Sequence, residues 1–266
     1  MRNELFSLYS ALFIFTASFF VYSDTRDLVT DPSGNNQLLV VGVPGGLPGI
    51  DKDLKMVEEI GINPAYQFVS SKLWSSQGTV ANVAQSLTTL SANALDKGTM
   101  FFYYSGHGSR GSISLKDRSM KISEIRQALE KGREGLGPLS RLVMIFDSCY
   151  SGSLVDPLRK LISPIADDAE ANAFTDNLIE ELSYSSRASE YWKSLFVFAS
   201  SRSNETSNAG SSGSEFTVAL HKGFVETSNQ QGTMSDWVQK TKTYTTGHHP
   251  VERFVPGDMA NEKLIP

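Results

Sequence analysis

Two apolar runs end abruptly at small polar residues, FFYYSGHG at 101–108 and LVMIFDSCYSGS at 142–153. Apolar and aromatic side chains at consecutive positions are the mark of a strand buried on both faces, as in a parallel sheet covered by helices. The first run stops at Ser105, Gly106, His107 and Gly108, the second at Asp147, Ser148 and Cys149. If the two strands are neighbours, an imidazole and a thiol emerge together at the carboxyl edge of the sheet, where open α/β sheets place their ligands. A thiol beside an imidazole is a nucleophile beside its base.

The order of the other elements supports a parallel sheet. Gln37–Val43 is predicted as the first core strand, and Ala65–Val69 as a second, shorter one. Between them a helix is predicted over 51–60, capped by Asp51, with Ile50, Leu54, Val57 and Ile60 on its apolar side. Thr79 is the expected cap of a helix over 80–94, which leads through a turn to the strand at Met100–Tyr104. Strand–helix alternation of this kind specifies an α/β fold. The expected architecture is a three-layer α/β/α sandwich on a mainly parallel sheet of about six strands. Later elements are a strand at Ser112–Leu115, a helix over Ser123–Glu130, a strand at Leu195–Ala199 and helices near 215–225 and 234–242. The Pro44–Gly49 turn lacks the Gly-x-Gly-x-x-Gly register and the Lys-Ser/Thr of phosphate-binding loops, so it is read as a rigid turn.

Residues 1–23 place Arg2 before an apolar run and end in Val21 and Ser23, the layout of a secretory signal peptide cut before Asp24. The other reading is an uncleaved anchor, and either puts the domain outside the cytoplasm. Residues 24–36 are a polar lead-in, 37–246 the folded domain, and 247–266 an irregular tail. Within the domain, 156–193 is acidic and helical in pattern.

A net charge of −5 excludes the basic surface that nucleic-acid binding needs. Cys149 is the only cysteine, so neither an intrachain disulfide nor a cysteine zinc site can form, and no metal or cofactor is called for. Its thiol needs a lowered pKa to attack a carbonyl at neutral pH, which an adjacent imidazolium supplies. The amides of Gly108 and Cys149 are candidate oxyanion donors. Asp147, two residues before Cys149, shares its face of the strand and is a candidate partner for a cationic substrate side chain. Glu205 is a second acidic candidate for the same rim. His221, His248 and His249 are assigned to packing or surface roles.

Tyr-Ser-Gly-His-Gly at 104–108 and Asp-Ser-Cys-Tyr-Ser-Gly at 147–152 resemble the two catalytic blocks of caspase-like cysteine peptidases, and metacaspases and their bacterial relatives most of all. The resemblance extends to Gly49–Leu54 and Glu215–Leu220. It implies a caspase-like sheet and a His107–Cys149 dyad acting through an acyl-enzyme. It also implies that Asp147 lies in the pocket for the residue before the cut, hence protein or peptide substrates with Arg or Lys there. The arginine that caspases place after the first strand is missing from Val43–Gly49, which argues against cleavage after Asp. Ser109–Leu115 replaces the acidic cluster of many metacaspases, which argues against calcium activation. Legumain-type enzymes share the scaffold, so an Asn-specific peptidase or ligase stands as an alternative, as does a catalytically silent binding module. One or more of Arg159, Lys160 and Arg187 is expected to be cut by the enzyme itself.

Overall fold

The structure is a computed structural model that describes residues 36–63, 68–94, 98–109, 111–148, 188–201, 207–255 and 257–264. Its centre is a six-stranded sheet made of β1 (Gln37–Val43), β2 (Val69–Trp74), β3 (Thr99–Gly106), β7 (Leu139–Asp147), β8 (Trp192–Ala199) and β11 (Val251–Val255). The spatial order is β11-β8-β7-β3-β1-β2, and every neighbouring pair is parallel except β11 with β8. The sandwich expected from the strand–helix alternation is therefore the observed fold.

Alternation along the strands explains why the runs are apolar throughout. Leu39, Val41, Phe102, Tyr104, Met144 and Phe146 face one layer, against Val83 and Leu87 of α2 (Val80–Asn93) and Ile125 and Leu129 of α3 (Ile122–Arg133). Leu38, Val40, Phe101, Tyr103, Val143 and Ile145 face the other. That layer holds Leu54 and Val57 of α1 (Ile50–Gly61), Phe216 and Leu220 of α4 (Glu215–Asn229) and Trp237 of α5 (Met234–Tyr244). Both faces are buried, so neither can carry polar positions without a partner. A small sheet of β4 (Gly108–Ser109), β5 (Ser112–Ser114) and β6 (Ser119–Lys121) follows β3, and a hairpin of β9 (Ala209–Gly210) and β10 (Gly213–Ser214) precedes α4.

Three expectations are corrected. The second strand is Val69–Trp74, not Ala65–Val69. As an edge strand it is half exposed, with Lys72 paired to Glu58 at 2.7 Å, so its sequence carries little apolar signal. Helix α1 starts one residue earlier than expected, with Gly49 at its N-cap in a left-handed conformation, and Asp51 is an exposed first-turn residue. The segment after Gly247, expected to be irregular, supplies the sheet's antiparallel edge strand, with Phe254 stacked on Phe196 at 4.6 Å. Of the expected acidic segment 156–193, residues 156–187 lie outside the described residues, and Trp192 and Lys193 already belong to β8. Thr79 caps α2 as expected, accepting a hydrogen bond from the Asn82 amide.

The tail is tied to the sheet by charge as well as by β11. Arg141, near the start of β7 and 1% exposed, pairs with Glu262 at 2.5 Å. Removing one partner of a buried ion pair costs more than the intact pair contributes, because the other charge stays buried. Glu262→Ala is expected to lower unfolding stability by about 3 kcal/mol, read as a lower urea midpoint at unchanged m-value. A midpoint within 0.2 M of wild type, on the order of a few tenths of a kcal/mol, would show the pair to be energetically idle.

Candidate active site

The site lies where the chain reverses direction across the sheet, since β1 connects outward to β2 and the chain then returns to β3 on the other side of β1. Beyond β1, the Pro44–Gly49 loop turns sharply, with the Leu47 amide donating to Pro44 O at 2.7 Å and Gly45 at φ 51°. His107, directly after β3, lies against this turn. A Cβ at position 45 would come within 2.7 Å of His107 Cδ2, so only glycine allows the approach. His107 Nε2 donates to Gly45 O at 3.2 Å. That assignment puts the ring proton on Nε2 and leaves Nδ1 as the basic nitrogen. The main chain is held from below by buried Tyr104, whose hydroxyl is within 2.7 Å of both His107 O and Ser114 O. Burial raises the Tyr104 pKa far above its ordinary value, so the hydroxyl stays a donor.

Strands β3 and β7 are adjacent, with Ser105 opposite Asp147. His107 is two residues beyond the last register pair. Cys149 is the same two residues beyond Asp147 in sequence and lies outside the described residues, as does Glu205. Ser148, the residue before Cys149, is fixed by Ser200 and Ser201, whose hydroxyls donate to its carbonyl at 3.3 and 3.2 Å. Gly108 opens β4 opposite Ile113.

Asp147 is buried, and the structure puts a second carboxylate beside it, Asp53 on α1. Ser214 joins the two: its amide donates to Asp53 Oδ1 at 2.7 Å and its hydroxyl donates to Asp147 Oδ2. Ser105 donates to Asp53 Oδ2 at 2.8 Å. Asp147 also accepts from Ser207 at 2.9 Å and Thr217 at 2.6 Å. Since Thr217 gives its proton to Asp147, the Tyr103 hydroxyl 2.5 Å away must donate to Thr217. Gly213, at φ 114°, brings β10 against the pair; a Cβ there would come within 2.8 Å of Asp53 Oδ1. Burial, then the charge of Asp147, push the Asp53 carboxyl up to about 7, against the hydrogen bonds from Ser214 and Ser105. No Lys or Arg among the described residues pairs with either carboxylate. Two buried acids held by neutral donors form a site short of a cation.

Asp53, Tyr104, Gly45 and Ser214 were not singled out from the sequence. Asp53 had a readable signal, because it lies three residues after Ile50 and four before Val57, on the helix stripe that is otherwise apolar. Of the other histidines, His221 pairs with Glu59 at 3.2 Å and buried His248 lies 3.7 Å from Glu215. Burial of Glu215 opposes its ionisation, but hydrogen bonds from Thr246, Gly247 and Asn208 hold it down to about 2, which pins the loop before β11 to the start of α4. Among the described residues no group of three or more His, Cys, Asp or Glu could hold a metal ion, and no helix is long and apolar enough to cross a membrane.

The caspase-domain family model matches residues 35–246, a span that holds the whole sheet except β11 together with both acidic residues and His107. The chain belongs to the caspase family. Metacaspase-1A of Aspergillus fumigatus is 32% identical over 95 residues, which cover 30% of this chain and 23% of that protein; Metacaspase-1A of Aspergillus terreus matches equally, over 24% of its length. The chain thus spans about a quarter of the curated relatives it matches. Among solved structures, a protein of Geobacter sulfurreducens superposes with a TM-score of 0.57 at 18% identity, covering 82% of this chain and 93% of that one. Caspase-1 of Spodoptera frugiperda superposes with a TM-score of 0.50 at 11% identity, covering 87% and 88%. These likenesses show the fold, and family membership points to a cysteine peptidase.

The raised pKa of Asp53 has a consequence for stability. The folded state holds this proton more tightly than the unfolded state, whose carboxyl titrates at its ordinary 3.8. Stability should therefore fall as pH rises from about 4 through about 7. Asp53→Asn should flatten that slope and raise Tm above wild type at pH 8, measured by thermal melts across pH. An unchanged slope in the variant would assign the proton to another group.

Proposed function

We propose that this caspase-family chain is a cysteine endopeptidase that cuts after Arg or Lys, using Cys149 as nucleophile and His107 as base. The observation that carries the specificity is the buried Asp53–Asp147 pair, short of a cation and adjoining the strand tip that leads to Cys149. An Arg or Lys side chain would bring the missing positive charge. A guanidinium matches two carboxylates by its forked donors.

The steps follow from the groups available. His107 Nδ1 takes the Cys149 proton, and the thiolate attacks the carbonyl carbon after the basic residue. The oxyanion accepts hydrogen bonds from the Gly108 and Cys149 amides, each such donor being worth roughly 100-fold in rate. Collapse of the intermediate breaks the C–N bond as His107 returns the proton to the leaving amine. Water, deprotonated by the same imidazole, then hydrolyses the thioester. No cofactor takes part. The net charge of −5 also favours the approach of cationic substrates. The signal-peptide pattern of residues 1–23 supports action outside the cytoplasm, with Asp24 as the N-terminus of the secreted protein.

Peptide reporters ending in Arg, Lys, Asn or Asp test the reading. Arg and Lys reporters should be cleaved and Cys149→Ala should be inert. Asp147→Asn and Asp53→Asn should each lose about 100-fold in kcat/KM on Arg, the order expected when one side of a buried charge contact is neutralised. Preference for Asn would remove both acids from this role. Self-cleavage at Arg159, Lys160 or Arg187 should appear as shorter bands on a denaturing gel that are missing from Cys149→Ala. One intact band from the active enzyme would refute it.

A further inference from the structure

Beside His107, in the layer of α2 and α3, lies a cleft of about 530 Å3. Its walls are the Pro44–Gly46 turn, Ser75 after β2, His107, and Ser114–Lys116 after β5. The acidic pair belongs to the layer of α1 and α4, whereas Val43 and Leu115 of the cleft pack in the layer of α2 and α3. The cleft that His107 lines and the acidic pair are therefore separate subsites in opposite layers. The walls are cross-linked: Tyr104 ties His107 to Ser114, and the Lys116 amide donates to Gly78 O at 2.8 Å, beside Ser75. Ser75 is held at φ 52°, a conformation costly for a residue with a Cβ, and strain of this kind collects at ligand sites.

We infer that this cleft binds the one or two residues that follow the scissile bond, and that Lys116 makes it favour an acidic side chain there. The inference rests on the proposed peptidase activity and adds a specificity to it. The imidazole that takes the thiol proton must return it to the leaving amine, so the amine and the chain beyond it lie on the imidazole's side of the carbonyl. The side chain before the cut is held on the other side, by the acids. Apart from His107, Lys116 is the one ionisable residue among the described residues lining the cleft. It is exposed and makes no ion pair with a described residue. The adjacent Asp117 stays ionised, but its carboxylate is turned to the Val80 amide at 2.9 Å and is not among the described residues lining the cleft, and Arg118 is paired with Glu124 at 2.7 Å.

Internally quenched peptides with a fixed Arg before the cut and Asp, Ala or Lys in the first and second places after it provide the test. The readout is the ratio of kcat/KM for Asp over Lys peptides within each enzyme, which cancels any common loss of activity. The wild-type ratio should be about tenfold at low salt, shrink as salt is added, approach one in Lys116→Ala and invert in Lys116→Glu. A short arginyl reporter with only a fluorogenic amine after the cut checks the underlying activity of the wild type. If that reporter is cleaved but the Asp/Lys ratio is one, or is the same in all three enzymes, the Lys116 subsite is wrong and the peptidase reading survives. If the reporter is not cleaved, both fall together.

Discussion

Negative charge buried without a matching cation among the described residues is the constraint around which this structure is arranged. Asp53 and Asp147 come from elements far apart in sequence, a helix after the first strand and the tip of a central one. Neutral donors keep them in place: the Ser214 amide, and the hydroxyls of Ser105, Ser207, Ser214 and Thr217. Hydroxyls stabilise a carboxylate less than a guanidinium does, so the arrangement leaves room for a stronger partner. The folded state accommodates the strain by keeping a proton on Asp53 near neutral pH. Destabilisation of this kind is common where a protein reserves a contact for its ligand.

Ser214 carries much of this arrangement. Its hydroxyl caps α4 by accepting the Thr217 amide at 3.0 Å while donating to Asp147, and its own amide satisfies Asp53. One residue thus fixes a helix start, orders a hairpin and spaces two acids. The cleft beside His107, in the layer of α2 and α3, is lined instead by Lys116.

The sheet was legible because its strands are buried on both faces, so their sequences are apolar without interruption. Where one side of a strand meets solvent the signal weakens, which is why the sequence pattern misplaces Val69–Trp74 and shows Val251–Val255 only as tail. His107 and Asp147 stood out as polar groups ending apolar runs. Asp53 did not, because its partner is 94 residues away and helix periodicity shows only that it points inward. Tyr104 was hidden for another reason: its ring is ordinary core, and only the placement of its hydroxyl between His107 O and Ser114 O gives it a role. In sequence Gly45 is only part of a turn, whereas its lack of a side chain is what lets the ring settle on the loop.

The group that orients the imidazole is a peptide carbonyl, Gly45 O, and not a carboxylate. Alanine scanning would therefore miss it, since truncating a side chain leaves every backbone oxygen in place. The orienting group can be lost only if the loop itself shifts. A small molecule wedged beneath the Pro44–Gly46 turn would displace that oxygen and release the ring without touching it.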